Sequence, residues 1–238
     1  DANFSEIFDE LNKGGAMVAP AAPALGTIDT DKSYHQSLID SRFAIFDSGF
    51  LCIALLLLKG VKVKKISGLA FIREFLKRTK YFSKESIFLI DPTTEDCVAN
   101  NALLKSFGYQ LKSSHQYVAP IYSSQEIEDS KLLTLLSTLK PKYIMLNLGG
   151  GVQEKLAAYL QKNLITFNPS IICTGAAIAF LTGRQAKIPE IIDKLYLGWL
   201  ARCISNWERF VPRYIQGFKI APMLVREKVT ITELNNHG

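Results

Sequence analysis

The feature that most constrains this 238-residue chain is a repeated change of hydrophobic period. Short apolar runs are each followed by small or polar turn residues and then by a stretch of helical spacing. "KYIMLNL", Lys142 to Leu148, passes through Gly149-Gly150-Gly151 into "VQEKLAAYLQKN", and "SIIC" passes through Thr174-Gly175 into "AAIAFLTG". "SIFLIDPTTEDCVANNALLKSFGY" contains a strand at Ile87 to Ile90, a turn at Pro92, a Thr93/Thr94 cap, a helix and a Gly108 stop. Upstream, "AMVAP" and "RFAIF" read as strands. "DKSYHQSLIDS" (capped by Asp29 or Thr30), "FLCIALLLLKG" (closed by Gly60) and "SGLAFIREFLKRT" read as helices, as does "SSQEIEDSKLLTLLSTLKP". Unalternating apolar runs are strands covered on both faces, and strand–helix–strand order joins them in parallel. The expected fold is α/β: a Rossmann-like parallel sheet flanked by helices over residues 1–188. A helical, basic appendage and tail is expected over 189–238, where strand patterns stop.

The longest apolar run, Phe50 to Leu58, is nine residues, well short of the roughly twenty that a membrane span needs. Cys52, Cys97, Cys173 and Cys203 form no CxxC pair and have no histidine nearby. They read as reduced thiols of a cytosolic protein, not as a disulfide framework or zinc site. Charge is unevenly placed. Arg184 to Lys228 holds nine Lys/Arg against four Asp/Glu, a surplus of +5 out of the chain's +6. An anionic partner is expected there.

Several residues carry candidate chemistry. Asp47 is the sole charged side chain between Arg42 and Lys59. An isolated carboxylate in apolar surroundings must be paired, protonated or at a wetted edge, and Ser48-Gly49 favours a strand end at a cleft. The turns at Gly149 to Gly151 and at Gly175 let a phosphate approach helix N-terminal amides closely. "GGGVQE" is not GxGxxG, and no ribose-binding acid follows, so a dinucleotide oxidoreductase is the weaker enzyme reading. Gln153 and Glu154 open the next helix, where an acid suits the dipole and an amide–acid pair could equally hold sugar hydroxyls or a uracil edge. Asp29 and Asp31 form a DxD that metal-dependent transferases use, but its place at a helix start explains the acids without a metal; no metal is expected. Arg202, Arg209 and Arg213 share one face if a helix runs through "ARCISNWERFVPRY", opposite an apolar stripe of Leu200, Ile204, Trp207 and Val211, with Pro212 bending or ending it. They could be a solvated face or a clamp for diphosphate or anionic headgroups.

The run Cys173 to Tyr214 resembles the C-terminal signature of the WecG/TagA/CpsF glycosyltransferases. Gly175, Ala176, Phe180, Gly183, Pro189, Trp199, Leu200, Arg202, Arg209, Arg213 and Tyr214 fall in register. "NLGGGVQEK" resembles the family's Gly-x-Gly-x-Pro-Lys-Gln-Glu, "KKISG" with Lys65 its Arg-Val-Thr-Gly, "IFDSGF" its Asp-Gly pair, and "TIDTDK" from Thr27 its Thr-x-Asn segment. The resemblance implies an inverting, metal-independent transfer of an N-acetylhexosamine-like sugar from a UDP donor to a polyprenyl-diphosphate-linked acceptor, in cell-surface polysaccharide synthesis. It implies Asp47 as general base with its pKa raised by apolar neighbours. Thr27, Asp29, Lys65, Gly149, Gly151, Gln153, Glu154, Gly175, Arg202, Arg209 and Arg213 would bind substrate. It further implies no cofactor beyond the donor, no nucleic-acid partner, attachment to the inner face of a bacterial cytoplasmic membrane, and self-association in some members. Asp29 stands in place of the family's Asn, Ala70 and Ala179 in place of Asp, Gly151-Val152 in place of Pro-Lys, and Gly198 in place of Glu. These departures fit either a branch with another substrate or a non-catalytic nucleotide-sugar or lipid-binding homologue.

Overall fold

The structure, a computed structural model, describes residues 3–79, 87–123, 127–185, 192 and 196–228, apart from the side chains of Ala201, Arg202, Ser205 and Arg209. Its centre is a six-stranded, all-parallel sheet in the order β2-β1-β6-β5-β3-β4. The strands are β1 (Gly15–Val18), β2 (Phe43–Ala44), β3 (Ile87–Asp91), β4 (Gln116–Val118), β5 (Tyr143–Leu146) and β6 (Ser170–Cys173). The inner strands β3, β5 and β6 are buried at every position, which is why they read as unbroken apolar runs.

Side chains alternate between two cores, as the pleat requires. Met17, Leu89, Met145 and Ile172 face one core, shared with α1 (Phe4–Asn12), α5 (Gly68–Thr79), α6 (Thr94–Ser106) and α9 (Ala177–Leu181). Val18, Phe88, Ile90, Ile144 and Ile171 face the other, covered by α7 (Ser130–Leu139) and α8 (Val152–Asn163). Leu38 of α3 (Lys32–Ile39) packs on that second core.

The crossover out of β3 therefore runs on one face (α6) and the crossover out of β5 on the other (α8). The strand order reverses between these two adjacent strands, which opens a crevice at their carboxyl ends.

A third cluster ties the end of the chain to its beginning. Ile220 and Leu224 of α12 (Ile220–Arg226) join Ala22 and Leu25 of α2 (Ala22–Leu25) and Phe50, Leu51 and Leu55 of α4 (Gly49–Lys59). Between them lie α10 (Gly198–Ser205) and α11 (Trp207–Gly217). The expected single helix is thus two, broken at Asn206, and Pro212 sits inside α11 without ending it.

Several elements were not expected, among them α2: Ala21 to Ala24 read from sequence as a short loop, but Ala22–Leu25 is a helical turn with Pro23 at its start. α1 is amphipathic and capped by Asn3, whose side chain accepts from Ser5 and Glu6 N–H. β4 is an edge strand of three residues led by Gln116, too short and polar to announce itself. The cap of α3 is Asp31, not Asp29 or Thr30, because its carboxylate receives the Tyr34 N–H.

Candidate active site

A cavity of about 1200 Å³ opens at the carboxyl ends of the strands. Asp47 stands on its wall, three residues beyond β2 and half-buried. Its Oδ1 accepts the Gly68 N–H at 2.8 Å, the first amide of α5. Helix-start amides carry partial positive charge and favour an ionised carboxylate. Gly68 is tightly seated: a Cβ there would lie 3.3 Å from Ala177 Cβ and 3.5 Å from Asp47 Oδ2. The "DSG" and "ISG" segments, nineteen residues apart in sequence, thus meet beside the turn that follows β6.

The two glycine turns are joined by Gln153 and Glu154. Gln153 Oε1 accepts the Gly175 N–H at 2.8 Å, and its Nε2 donates to Glu154 Oε1 at 2.9 Å. Glu154 Oε2 accepts the Gly151 N–H at 2.6 Å. The pair is a brace between the turns after β5 and β6. Glu154 is 1% exposed, and burial raises its carboxyl above the usual range against the pull of these hydrogen bonds. Gly149 and Gly151 have nothing within 4 Å of an added Cβ. Open space surrounds those two positions, whereas a Cβ on Gly150 would meet Ala24 Cβ at 3.4 Å, and Gly151 is held at φ +90°, where side chains are disfavoured.

Of the substrate-binding residues expected from sequence, Lys65, Gly149, Gln153, Gly175 and Arg213 line the cavity with Asp47. Gly151, Glu154, Thr27 and Asp29 do not. The Thr27 hydroxyl donates to the Ala24 carbonyl, and Asp29 is exposed on a turn. Asp31 is committed elsewhere, bonded to Ser33 and Tyr34 and ion-paired at 2.8 Å with buried Lys155. Burial raises its carboxyl, but the bonds from Lys155, Ser33 and Tyr34 outweigh this and hold it below the usual range. The DxD therefore builds a helix cap and an α3–α8 ion pair. The side chains of Arg202 and Arg209 lie outside the described residues.

Other cavity residues escaped the sequence reading. Lys64, Arg73 and Arg184 add cations, Arg184 pairing with Asp96 at 2.9 Å. Asn100, Asn147 and Thr174 form a buried polar floor around Asp91. A lone amide closing the apolar run "KYIMLNL" and an acid closing "IFLID" were the available signals.

Residues 2–233 match the Glycosyl transferase WecG/TagA/CpsF family. The chain belongs to that family. Two similar curated proteins come from Staphylococcus aureus, strains MW2 and NCTC 8325 / PS 47. Each is named N-acetylglucosaminyldiphosphoundecaprenol N-acetyl-beta-D-mannosaminyltransferase. Each is 20% identical over 209 residues, covering 87% of this chain and 79% of the relative. As a WecG/TagA/CpsF protein the chain departs from the pattern at cavity positions: Ala70, Ala179 and Gly198 all line the wall, and Val152 does not. No helix among the described residues is long and apolar enough to cross a membrane.

Proposed function

We propose that this WecG/TagA/CpsF chain is an inverting, metal-independent hexosyltransferase that moves an N-acetylhexosamine-like sugar from a UDP donor to a diphospholipid-linked sugar acceptor. The observation that carries this reading is the position of Asp47, a half-buried carboxylate held by the α5 amide and lining the same cavity as Gly149, Gly150 and Gly175. The names of the Staphylococcus aureus relatives supply the acceptor class.

Asp47 takes the proton of the acceptor hydroxyl as that oxygen attacks the anomeric carbon. The bond from that carbon to the diphosphate breaks, and UDP leaves with its electron pair. The charge on the leaving diphosphate is met by amides of the turn at Gly149 and Gly150 and by Arg213, with Lys65 and Arg184 also lining the cavity. The acceptor's lipid reaches the site along α10–α12, at the inner membrane surface. Ile204 and Trp207 are 77% and 67% exposed there, with Ile215 and Phe218 also turned outward.

Asp47→Asn tests the assignment. Transfer from UDP-N-acetylmannosamine to a short-chain lipid-diphosphate N-acetylglucosamine should fall on the order of 10²–10⁴-fold, with UDP affinity unchanged. EDTA should leave wild-type transfer intact. Full activity in the variant removes the base assignment.

A further inference from the structure

The mechanism above does not use the polar floor of the cavity. Asp91 ends β3, is fully buried, and its Oδ1 accepts the Asn100 Nδ2 at 2.6 Å and the Asn147 Nδ2 at 2.7 Å. Asn147 follows β5 and its backbone N–H bonds the Ile90 carbonyl at 2.9 Å. Giving its Nδ2 to Asp91 fixes the orientation of the Asn147 amide and turns Oδ1 away from Asp91. That Oδ1 is buried without a partner, as is the Thr174 hydroxyl beyond β6. Both residues are 6% exposed, and both line the cavity. Buried polar atoms are almost always satisfied, so these two orphans on the cavity lining, with Asp91 Oδ2 also unpartnered behind them, call for a partner. Their place supplies a second argument. Asp91 and Asn147 flank the reversal point between β3 and β5, where open parallel sheets receive ligands.

We infer that this crevice is a recognition subsite for an uncharged hydrogen-bond-donating group of the donor substrate, accepted by Asn147 Oδ1 and paired with the Thr174 hydroxyl. It rests on the nucleotide-sugar reading above. The crevice presents the acceptor Asn147 Oδ1, backed by the buried Asp91 carboxyl to which that amide is bonded, so it disfavours a phosphate, which belongs at the glycine turns and the cations. An imide N–H of the base or a hydroxyl of the sugar has the required chemistry. Asp91 is a positioning residue that orients the amide.

Titration calorimetry on the full chain tests this, using UDP, CDP, a UDP-N-acetylhexosamine and inorganic pyrophosphate against Thr174→Val and Asn147→Ser. Thermal melts establish that each variant is folded, and Thr174→Val is isosteric. Affinity for UDP or for the UDP-sugar should fall about tenfold, with pyrophosphate unchanged. If the base is read, UDP weakens and its preference over CDP, which has no N3–H, shrinks. If the sugar is read, UDP holds and the UDP-sugar drops towards it. Wild-type affinity for both ligands in both folded variants overturns the subsite alone. An equal loss of pyrophosphate affinity also overturns it, since the crevice would then lie under the phosphates. Failure of the wild type to bind either nucleotide would remove the donor reading along with the subsite.

Discussion

Asp91 shows how a single residue can be read from its surroundings. Burial raises its carboxyl above the ordinary 3.8, while hydrogen bonds from Asn147, Asn100 and the Cys97 thiol pull the other way and lose. Between about 3.8 and that raised value the native chain thus keeps a proton that the unfolded chain releases. Stability must therefore fall as pH rises from about 3.8 towards the raised native value, and stay lower above it. Asp91→Asn keeps an acceptor for both neighbouring amides and cannot titrate. Its melting temperature should overtake that of the wild type as pH goes from 4.5 to 8. A gap between the two proteins that does not change with pH would show that Asp91 is not the titrating group. Glu154 is raised in the same direction and leaves a residual slope in the variant.

Among the elements, α2 and α11 approach so closely that only glycine fits between them. A Cβ on Gly26 would collide with the Gln216 carbonyl oxygen, and one on Gly217 would come within 3.1 Å of the Ala22 carbonyl carbon. Gly26→Ala must separate the helices. Overpacking of this kind costs about 1–3 kcal/mol, a fall of roughly 2–10 °C in melting temperature for a chain of this size. Arg213 and Tyr214 of α11 line the cavity, so UDP affinity should weaken in step. Calorimetry that finds the variant cooler in melting yet unchanged in UDP affinity would uncouple α11 from the site. Such helix contacts were invisible in sequence: Gly26 and Gln216 are far apart in the chain, and no period links them. The helices α4, α5, α6 and α8 were legible because each repeats apolar residues or carries a cap, as at Ser48 and Thr93, or a left-handed stop, as at Gly60. The break at Asn206 was not, because Pro212 looked the stronger breaker and yet stays inside α11, where only one amide donor is lost.

Across the whole molecule, the outward apolar side chains of α10–α12 and the basic surplus belong to the same last fifth of the sequence. That combination suits an anionic lipid surface. Ile204→Ser with Trp207→Ser should reduce co-sedimentation with phosphatidylglycerol vesicles more than tenfold, since burying each large apolar side chain is worth about 1.5–3 kcal/mol. Melting temperature should hold, because both side chains are exposed. Unchanged vesicle binding would place the membrane contact elsewhere. The sequence by itself determined the parallel α/β architecture, the glycine turns and the oddity of Asp47, because hydrophobic period and isolated charge are local properties written along the chain. Only the tertiary structure decided that Gln153 and Glu154 brace the turns, that Asp31 serves Lys155, and that Asn147, held by buried Asp91, shares a crevice with Thr174. Those are contacts between strand ends far apart in sequence, and hydrogen-bond partners are set by distance in space, which no local pattern records.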